Sequence, residues 1–531
     1  MRSSRSSDRR IRLNLVSSLT LVLLCAIAVT AQAPYTRSAG LKFAQSASEQ
    51  KTVRYFETVR KSTAQLWAFL LKMPKGGDLH NHLSGAIYAE SYIEWAAENG
   101  LCVNNQTMAL SVPQTKSACD PTLNQIPANT ALTNSVFFQQ LIDAWSMQNW
   151  ELSGQTGHDQ FFNTFAKFGP ATWDQTGRML AEAATRAAHG HVLYLELMLT
   201  PDGTISSDLG KQIPWDGNVQ STLKKLQDAG IANAATAGIK NIQAAETQKD
   251  QLLKCGTPQA DPGCLVTIRY ISQVSRGGSL GSVFAQMVTG FTLASDPSSK
   301  VVALNLVQAE DGAASMQNFS VQMDMLHSLR ALYPKAHLTL HAGELVPGLV
   351  PPAGLKFHIR ESVMTAGAER IGHGVDVMHE DRPEELLTEL ARRRVLVEIC
   401  LSSNNLILGV SGPQHPLATY IKYGVPVALN TDDEGVSRSE ISREYLRGVQ
   451  DQGLGYIQLK IMARTSLQYA FIPGGSLWSD ASKFTPVAQC AKDVAQMKLG
   501  SSACRQFVAA NEKAKLQWQL EAELRAFESG F

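Results

Sequence analysis

Two hydrophobic patterns alternate along this chain. Short apolar runs recur at Gly77–His82, Val192–Leu199, Cys264–Ile271, Val301–Val307, Ala336–His341, Arg370–Val375, Val395–Leu401 and Val425–Asn430. Between most of them lie amphipathic stretches such as Trp173–His189, Ser315–Leu332, Phe357–Gly367 and Glu384–Arg394, in the pattern of a helix with one apolar face. Strands alternating with helices predict a parallel α/β sheet. Eight such runs predict closure into a (β/α)8 barrel rather than an open sheet.

The spacing is uneven. Roughly 110 residues separate the first two runs and roughly 65 the next two, more than ordinary connections need, so both intervals carry insertions. Residues 89–134, rich in Asn, Thr, Pro and Gln, read as a small excursion over the barrel mouth. Ahead of the first run, Ser46–Leu71 predicts a helical stretch, with Val53, Phe56, Val59, Leu66, Phe69 and Leu70 on its apolar side. The expected organisation is a targeting segment (1–33), an N-terminal helical segment (34–72), a barrel (73–473) and a helical C-terminal extension (474–531).

The targeting segment is read from Arg2, Arg5, Arg9, Arg10 and Arg12, followed by the apolar Leu13–Ala28 and the cleavage pattern Ala31-Gln32-Ala33. The mature chain is expected to start near Pro34, to be exported to a periplasmic or extracellular space, and to have no membrane contact after cleavage. Cysteine usage agrees with export. Six of the eight cysteines fall into three sequence-local pairs, Cys102/Cys119, Cys255/Cys264 and Cys490/Cys504, each bracketing a polar stretch. Six cysteines allow 15 connectivities, and local pairing is one of them. Cys400 lies inside an apolar run and reads as a buried free thiol.

Composition then removes some functions. With 531 residues, 44% hydrophobic and 18% charged, the chain is globular and large enough for a substantial core. A formal net charge of +1 gives no electrostatic case for nucleic acid or an anionic membrane as partner.

The chemistry gathers at the run ends. His80 and His82 end the first run, His341 ends the fifth, His373 sits in the sixth, and Asp432 follows the eighth. Side chains two apart on a strand share a face, and active sites of such barrels lie at the C-terminal strand ends. Three neutral imidazoles plus one carboxylate match a catalytic zinc site, where zinc would activate a water near neutral pH. Glu344, three residues after His341, can reach the same mouth as general acid or base, and Asp433 stands beside Asp432. Neither H-E-x-x-H nor the H-x-E with P-C-x-x-C signature occurs.

At this point a family resemblance is visible. The stretches MPKGGDLHNHLSG, HAGE, ERIGHG, EICLSSN and ALNTDD occur in an order and spacing that resemble the adenosine deaminase family of metal-dependent aminohydrolases. The targeting segment, pre-barrel helices and Cys102/Cys119 insertion resemble its secreted, growth-factor-related branch, where such N-terminal helices imply a homodimer. The resemblance implies that His80, His82, His341 and Asp432 hold one Zn2+ per chain. It implies that Glu344 protonates N1 of the purine and that His373 and Asp433 orient and help deprotonate the attacking water. Addition at C6 and loss of ammonia would then convert adenosine, and 2′-deoxyadenosine, to inosine products. Ser84, Phe161, Phe165, Gln308, Glu310 and Gly343 fall at the family's substrate-binding positions, with Phe161, Phe162 and Phe165 on an aromatic lid helix or in its core-facing side.

There are departures around the substrate. Ser84 stands where many members have Asp, Gln308 where the family has a glycine, and Glu434 where a proline is common. They keep open another purine substrate: adenine, an N6-modified adenosine or a nucleotide. A nucleotide would call for cations at the mouth, with Lys75, Arg276 and Arg438 the candidates. A binding or signalling protein built on the same barrel would not need the intact set that includes Glu344 and His373.

Overall fold

In the computed structural model, residues 46–113 and 119–531 are described; the targeting segment expected at 1–33 lies outside them. Each apolar run contributes a strand: β1 Gly76–His82, β2 Val192–Leu199, β3 Thr267–Ser275, β4 Val301–Val307, β5 His337–Ala342, β6 Arg370–His373, β7 Leu396–Ile399 and β8 Val427–Leu429. They pair in sequence order, every pair parallel. The sheet closes through Asn81, which bridges Asp432 in parallel register. Asp432 N–H donates to His80 O at 2.8 Å and His82 N–H to Asp432 O at 3.1 Å. The Asn430 side chain accepts from Leu79 N–H at 2.8 Å. The chain is a (β/α)8 barrel whose seam is formed by the candidate metal ligands themselves.

Two runs are displaced for local reasons. The run expected at Cys264–Ile271 becomes a strand only from Thr267, because residues 262–265 form a 3-10 turn in which Asp261 caps Gly263 N–H (2.7 Å). The run expected at Val395–Leu401 stops at Ile399, because a helix begins at Leu401 and runs to Leu408.

The three local disulfides are all present, and Cys400 is buried and free. Cys102–Cys119 ties a three-stranded antiparallel sheet, Leu110–Ser111, Cys102–Asn104 and Gln125–Pro127, inside the first insertion. The single N-terminal helical stretch is two helices, α1 Ala47–Val59 and α2 Thr63–Lys72, broken at Arg60–Ser62. Ser46 caps the first by accepting from Glu49 N–H at 3.1 Å. The C-terminal extension is not wholly helical: Trp478–Asp480 pairs with Thr485–Pro486 before three helices end the chain.

The last helix, Glu512–Glu528, fastens this extension to the barrel. Arg464 makes a bidentate pair with Glu521 at 2.6 Å, and Glu528 accepts from Tyr456 (2.8 Å) and Lys460 (2.5 Å). Phe56, Phe69, Tyr456, Phe527 and Phe531 form an aromatic cluster between the two chain ends, with ring centroids 5.0–6.3 Å apart. The apolar faces of α1 and α2 are therefore covered within the chain.

The disulfides close loops of 17, 9 and 14 residues. Restricting the unfolded chain over such loops is worth about 3 kcal/mol each. Reduction should shift the denaturant midpoint downward; an unchanged midpoint after complete reduction would show that the bridges contribute nothing.

Candidate functional site

His80 and His82 at the end of β1, His341 on β5 and Asp432 after β8 converge. His80 Nε2 and His82 Nε2 each lie 3.1 Å from His341 Nε2, and both lie 3.4 Å from Asp432 Oδ1. The other ring nitrogens are engaged. A carboxylate only accepts, so His80 Nδ1–H donates to Glu398 Oε2 at 2.7 Å. Asn305 Oδ1 accepts from His341 backbone N–H (2.9 Å), which identifies it as the oxygen, and from His341 Nδ1–H (3.0 Å). The Gln273 amide lies 3.2 Å from His82 Nδ1.

The neutral rings of His80 and His341 thus turn bare Nε2 lone pairs toward each other. Lone pairs at 3.1 Å need a proton or a cation between them. Burial opposes charge on His80, but hydrogen bonds to Asp432 and Glu398 lift it to about 10. Burial pushes His82 down to about 4 and His341 well below the usual imidazole value. Burial also opposes charge on Asp432, yet His80 and the neighbouring imidazoles hold its carboxyl well below the usual range. A cation would take the place of that His80 proton. Separations of 3.1–3.4 Å match the roughly 3.3 Å edge of a tetrahedron with bonds of about 2.0 Å, as zinc takes with His and Asp. The donor set fits a divalent transition metal.

Space around these ligands is shaped by glycine. A Cβ on Gly372 would sit 2.6 Å from His80 Cε1, and one on Gly85 would overlap the Asp433 carboxylate. His373 and Asp432 adopt φ of +69° and +61°, a left-handed conformation costing non-glycine residues about 1–3 kcal/mol.

Three buried polar atoms face this mouth without a protein partner: Glu344 Oε1, Asp433 Oδ1 and His373 Nε2. Burial raises Glu344 well above the usual carboxylate value, and the charges of Asp432 and Glu310 add to the effect. Burial and Asp432 likewise raise Asp433. Burial takes His373 down to about 3, and its Nδ1 lies 3.6 Å from Glu344 Oε1. Burial therefore favours the neutral acid at Glu344 and neutral rings at His82, His341 and His373, while His80 holds the positive charge that a cation would replace.

The residues expected around substrate divide. Ser84 is partly exposed. Gln308 is exposed at φ +83°, a conformation that suits the family's glycine, and its Oε1 accepts from Gly277 N–H at 3.0 Å. Both Glu310 oxygens turn away from the mouth: they accept from Gly343 N–H (3.0 Å), Glu344 N–H (2.8 Å) and His358 Nδ1–H (2.5 Å). Glu310 holds the HAGE turn. On the helix Gly157–Phe168, Phe161 is buried in the main core, while Phe162 and Phe165 are partly exposed.

Sequence reasoning missed the supports beneath the ligands. Glu398 bridges His80 and Arg370, with Arg370 Nε 2.7 Å from Glu398 Oε1 and Arg370 Nη2 2.5 Å from Glu196 Oε2. Thr339 also donates to Glu398 at 2.9 Å. The signal was there: a lone charge within an otherwise apolar strand, as in VLYLELML and VLVEICL.

Residues 170–476, more than half of the chain, match the family described as adenosine deaminase. An adenosine deaminase of Salmonella heidelberg (strain SL476) is 26% identical over 400 residues, 75% of this chain and 94% of that protein. One from Yersinia pseudotuberculosis serotype O:1b (strain IP 31758) is 36% identical over 167 residues, 31% of this chain and 47% of that protein. Among solved structures, an adenine deaminase from Arthrobacter aurescens aligns over 80% of this chain and 99% of its own, with TM-score 0.49 at 17% identity.

Glu398→Gln keeps an acceptor for His80 but removes the charge that Arg370 and the imidazole share. Metal affinity, measured by chelator competition, should fall about 10–100-fold, the usual effect of losing a support behind a ligand. Unchanged affinity would remove Glu398 from the site.

Proposed function

The chain belongs to the adenosine deaminase family, and from that premise we propose that it is an exported, zinc-dependent enzyme converting adenosine and 2′-deoxyadenosine to inosine products and ammonia. Hydrolytic deamination of a purine is the family's reaction.

One observation carries it: His80 Nε2 and His82 Nε2 each lie 3.1 Å from His341 Nε2 and 3.4 Å from Asp432 Oδ1, at a mouth shared with the buried carboxyl of Glu344. Zinc held by His80, His82, His341 and Asp432 would supply Lewis acidity to the attacking water. Glu344, which burial keeps protonated, donates to N1 of the ring and so makes C6 electrophilic. Asp433 and His373 add unpartnered polar atoms, suited to holding the water and handling its proton. The water-poor barrel end strengthens each of these contacts.

The cations favour a nucleoside over a nucleotide. Lys75 Nζ is buried before β1, donating to Leu70 O (2.7 Å), Met73 O (2.9 Å) and Gly190 O (2.9 Å). Arg276 is fully buried and donates to Leu306 O (2.8 Å) and His341 O (3.1 Å). Arg438 makes a bidentate pair with Glu90 at 2.6 and 2.9 Å. Lys75 and Arg438 are thus spent on partners within the chain, and Arg276, whose Nε and Nη1 have no hydrogen-bond partner, is enclosed away from solvent. The three disulfides support an oxidising compartment, and hence export.

Purified protein should convert adenosine to inosine with about one zinc per chain, and should prefer adenosine to AMP in kcat/KM. A preference for AMP would overturn the nucleoside assignment. Glu344→Gln should retain fold and metal while kcat falls about 10^2–10^4-fold, the range for a lost general acid; near-normal turnover would end its assignment as the acid.

A further inference from the structure

We propose that Asn404 and His415 are positioning residues that lock His373 as the tautomer with hydrogen on Nε2, so that it meets the reactants as a donor. The relay starts at a backbone amide. Leu417 N–H can only donate, and it donates to His415 Nδ1 at 3.1 Å. The neutral ring of His415 therefore carries its hydrogen on Nε2. That nitrogen lies 3.1 Å from Asn404 Oδ1 and donates to it. The amide is thereby oriented, and its Nδ2–H donates to His373 Nδ1 at 3.0 Å. With Nδ1 an acceptor, a neutral His373 must hold its hydrogen on Nε2, since the hydrogen bond at one ring nitrogen sets the state of the other.

Every member of the chain is buried: His373, Asn404 and His415 are 0%, 0% and 2% exposed. Burial takes His415 down to about 4, with Arg447 adding to the effect, so that ring stays neutral in ordinary buffers. Solvent cannot reset the relay. His373 Nε2 is buried with no hydrogen-bond partner, and its ring packs against both His80 and His341, at centroid distances of 4.9 and 5.2 Å. Its Nε2–H is the ring group left for the reactants. As a donor it holds the attacking oxygen by a lone pair rather than taking its proton.

This rests on the deaminase reading above, so its test has two arms. In zinc-loaded protein with 15N-labelled histidine, the His373 ring signals, identified by their loss in His373→Asn, should show a protonated Nε2 and a bare Nδ1. A protonated Nδ1 in the wild type would overturn the proposal, whether or not adenosine is turned over. Asn404→Asp replaces the donor to Nδ1 by an acceptor and should invert this pattern. Adenosine kcat should then fall about 10^2–10^4-fold with little change in KM. His415→Gln can still donate to Asn404 Oδ1 and should retain most turnover, whereas His415→Phe cannot and should lose it. Full activity in folded Asn404→Asp would refute the relay; inactivity of the wild type on every purine tested would refute the deaminase reading and leave the ring signals to judge the tautomer.

Discussion

The buried carboxylate of Glu398 is the constraint on which the rest of this site depends. It lies in the barrel interior with no exposed side-chain surface and is held between two groups, the Arg370 guanidinium and the His80 imidazole. A charge in such a place is tolerated only when paired. Breaking a buried pair by removing one partner costs about 3–5 kcal/mol. Arg370 in turn requires Glu196, whose other oxygen accepts from Tyr194 Oη (2.8 Å) and Phe471 N–H (2.7 Å). One chain of contacts thus runs from the segment that closes the lower end of the barrel to the first metal ligand at its mouth. The orientation of His80 is determined by charge pairing across β2, β6 and β7 as much as by its own strand.

Backbone shape acts on the same residues. Asp432 both closes the barrel seam and turns a carboxylate oxygen to the His80 ring, and it does so with positive φ. His373 is bent in the same way between two glycines, one leaving room for the His80 ring and the other, Gly374, packed beneath the Tyr420 hydroxyl. These conformations are costly alone and persist because barrel closure, buried ion pairs and close packing fix them together. The result is a tightly packed cluster of imidazoles and carboxylates in which burial favours the neutral form of Glu344. Such preorganisation lets electrostatic interactions act without rearrangement at the moment of reaction.

How much of this was legible follows from what each level of structure needs. The barrel was legible because buried parallel strands cannot hide their apolar runs, and the convergence of His80, His82, His341 and Asp432 because polar motifs stood at the run ends. Local disulfides were legible from spacing, and their pairings held. Strand ends were less so: nothing in Cys264–Val266 reveals that an aspartate cap turns the chain before β3. The supports were the larger omission. Glu196, Arg370 and Glu398 stand inside apolar runs, but only the three-dimensional register shows that they meet. Arg276 and Lys75 looked like cations available to a substrate; both are buried on carbonyls, a distinction that side-chain direction makes and composition cannot.

The division between ligand cage and rim explains where the chain departs from its family. The cage tolerates little change, because each ligand is also a seam residue, a neighbour of a required glycine, or a partner of a buried charge. The rim is under no such constraint. Gln308 can occupy a glycine's left-handed position because its side chain turns to Gly277 N–H, which offsets part of the strain and leaves its own backbone geometry intact. Ser84 lies two residues after His82 yet joins none of the charge network; its carbonyl accepts from Tyr92 Oη at 2.6 Å, which anchors the backbone there. The buried charge network and its rim are thus separable in this fold: the first is fixed by residues that hold the barrel shut, the second by residues that the barrel can do without.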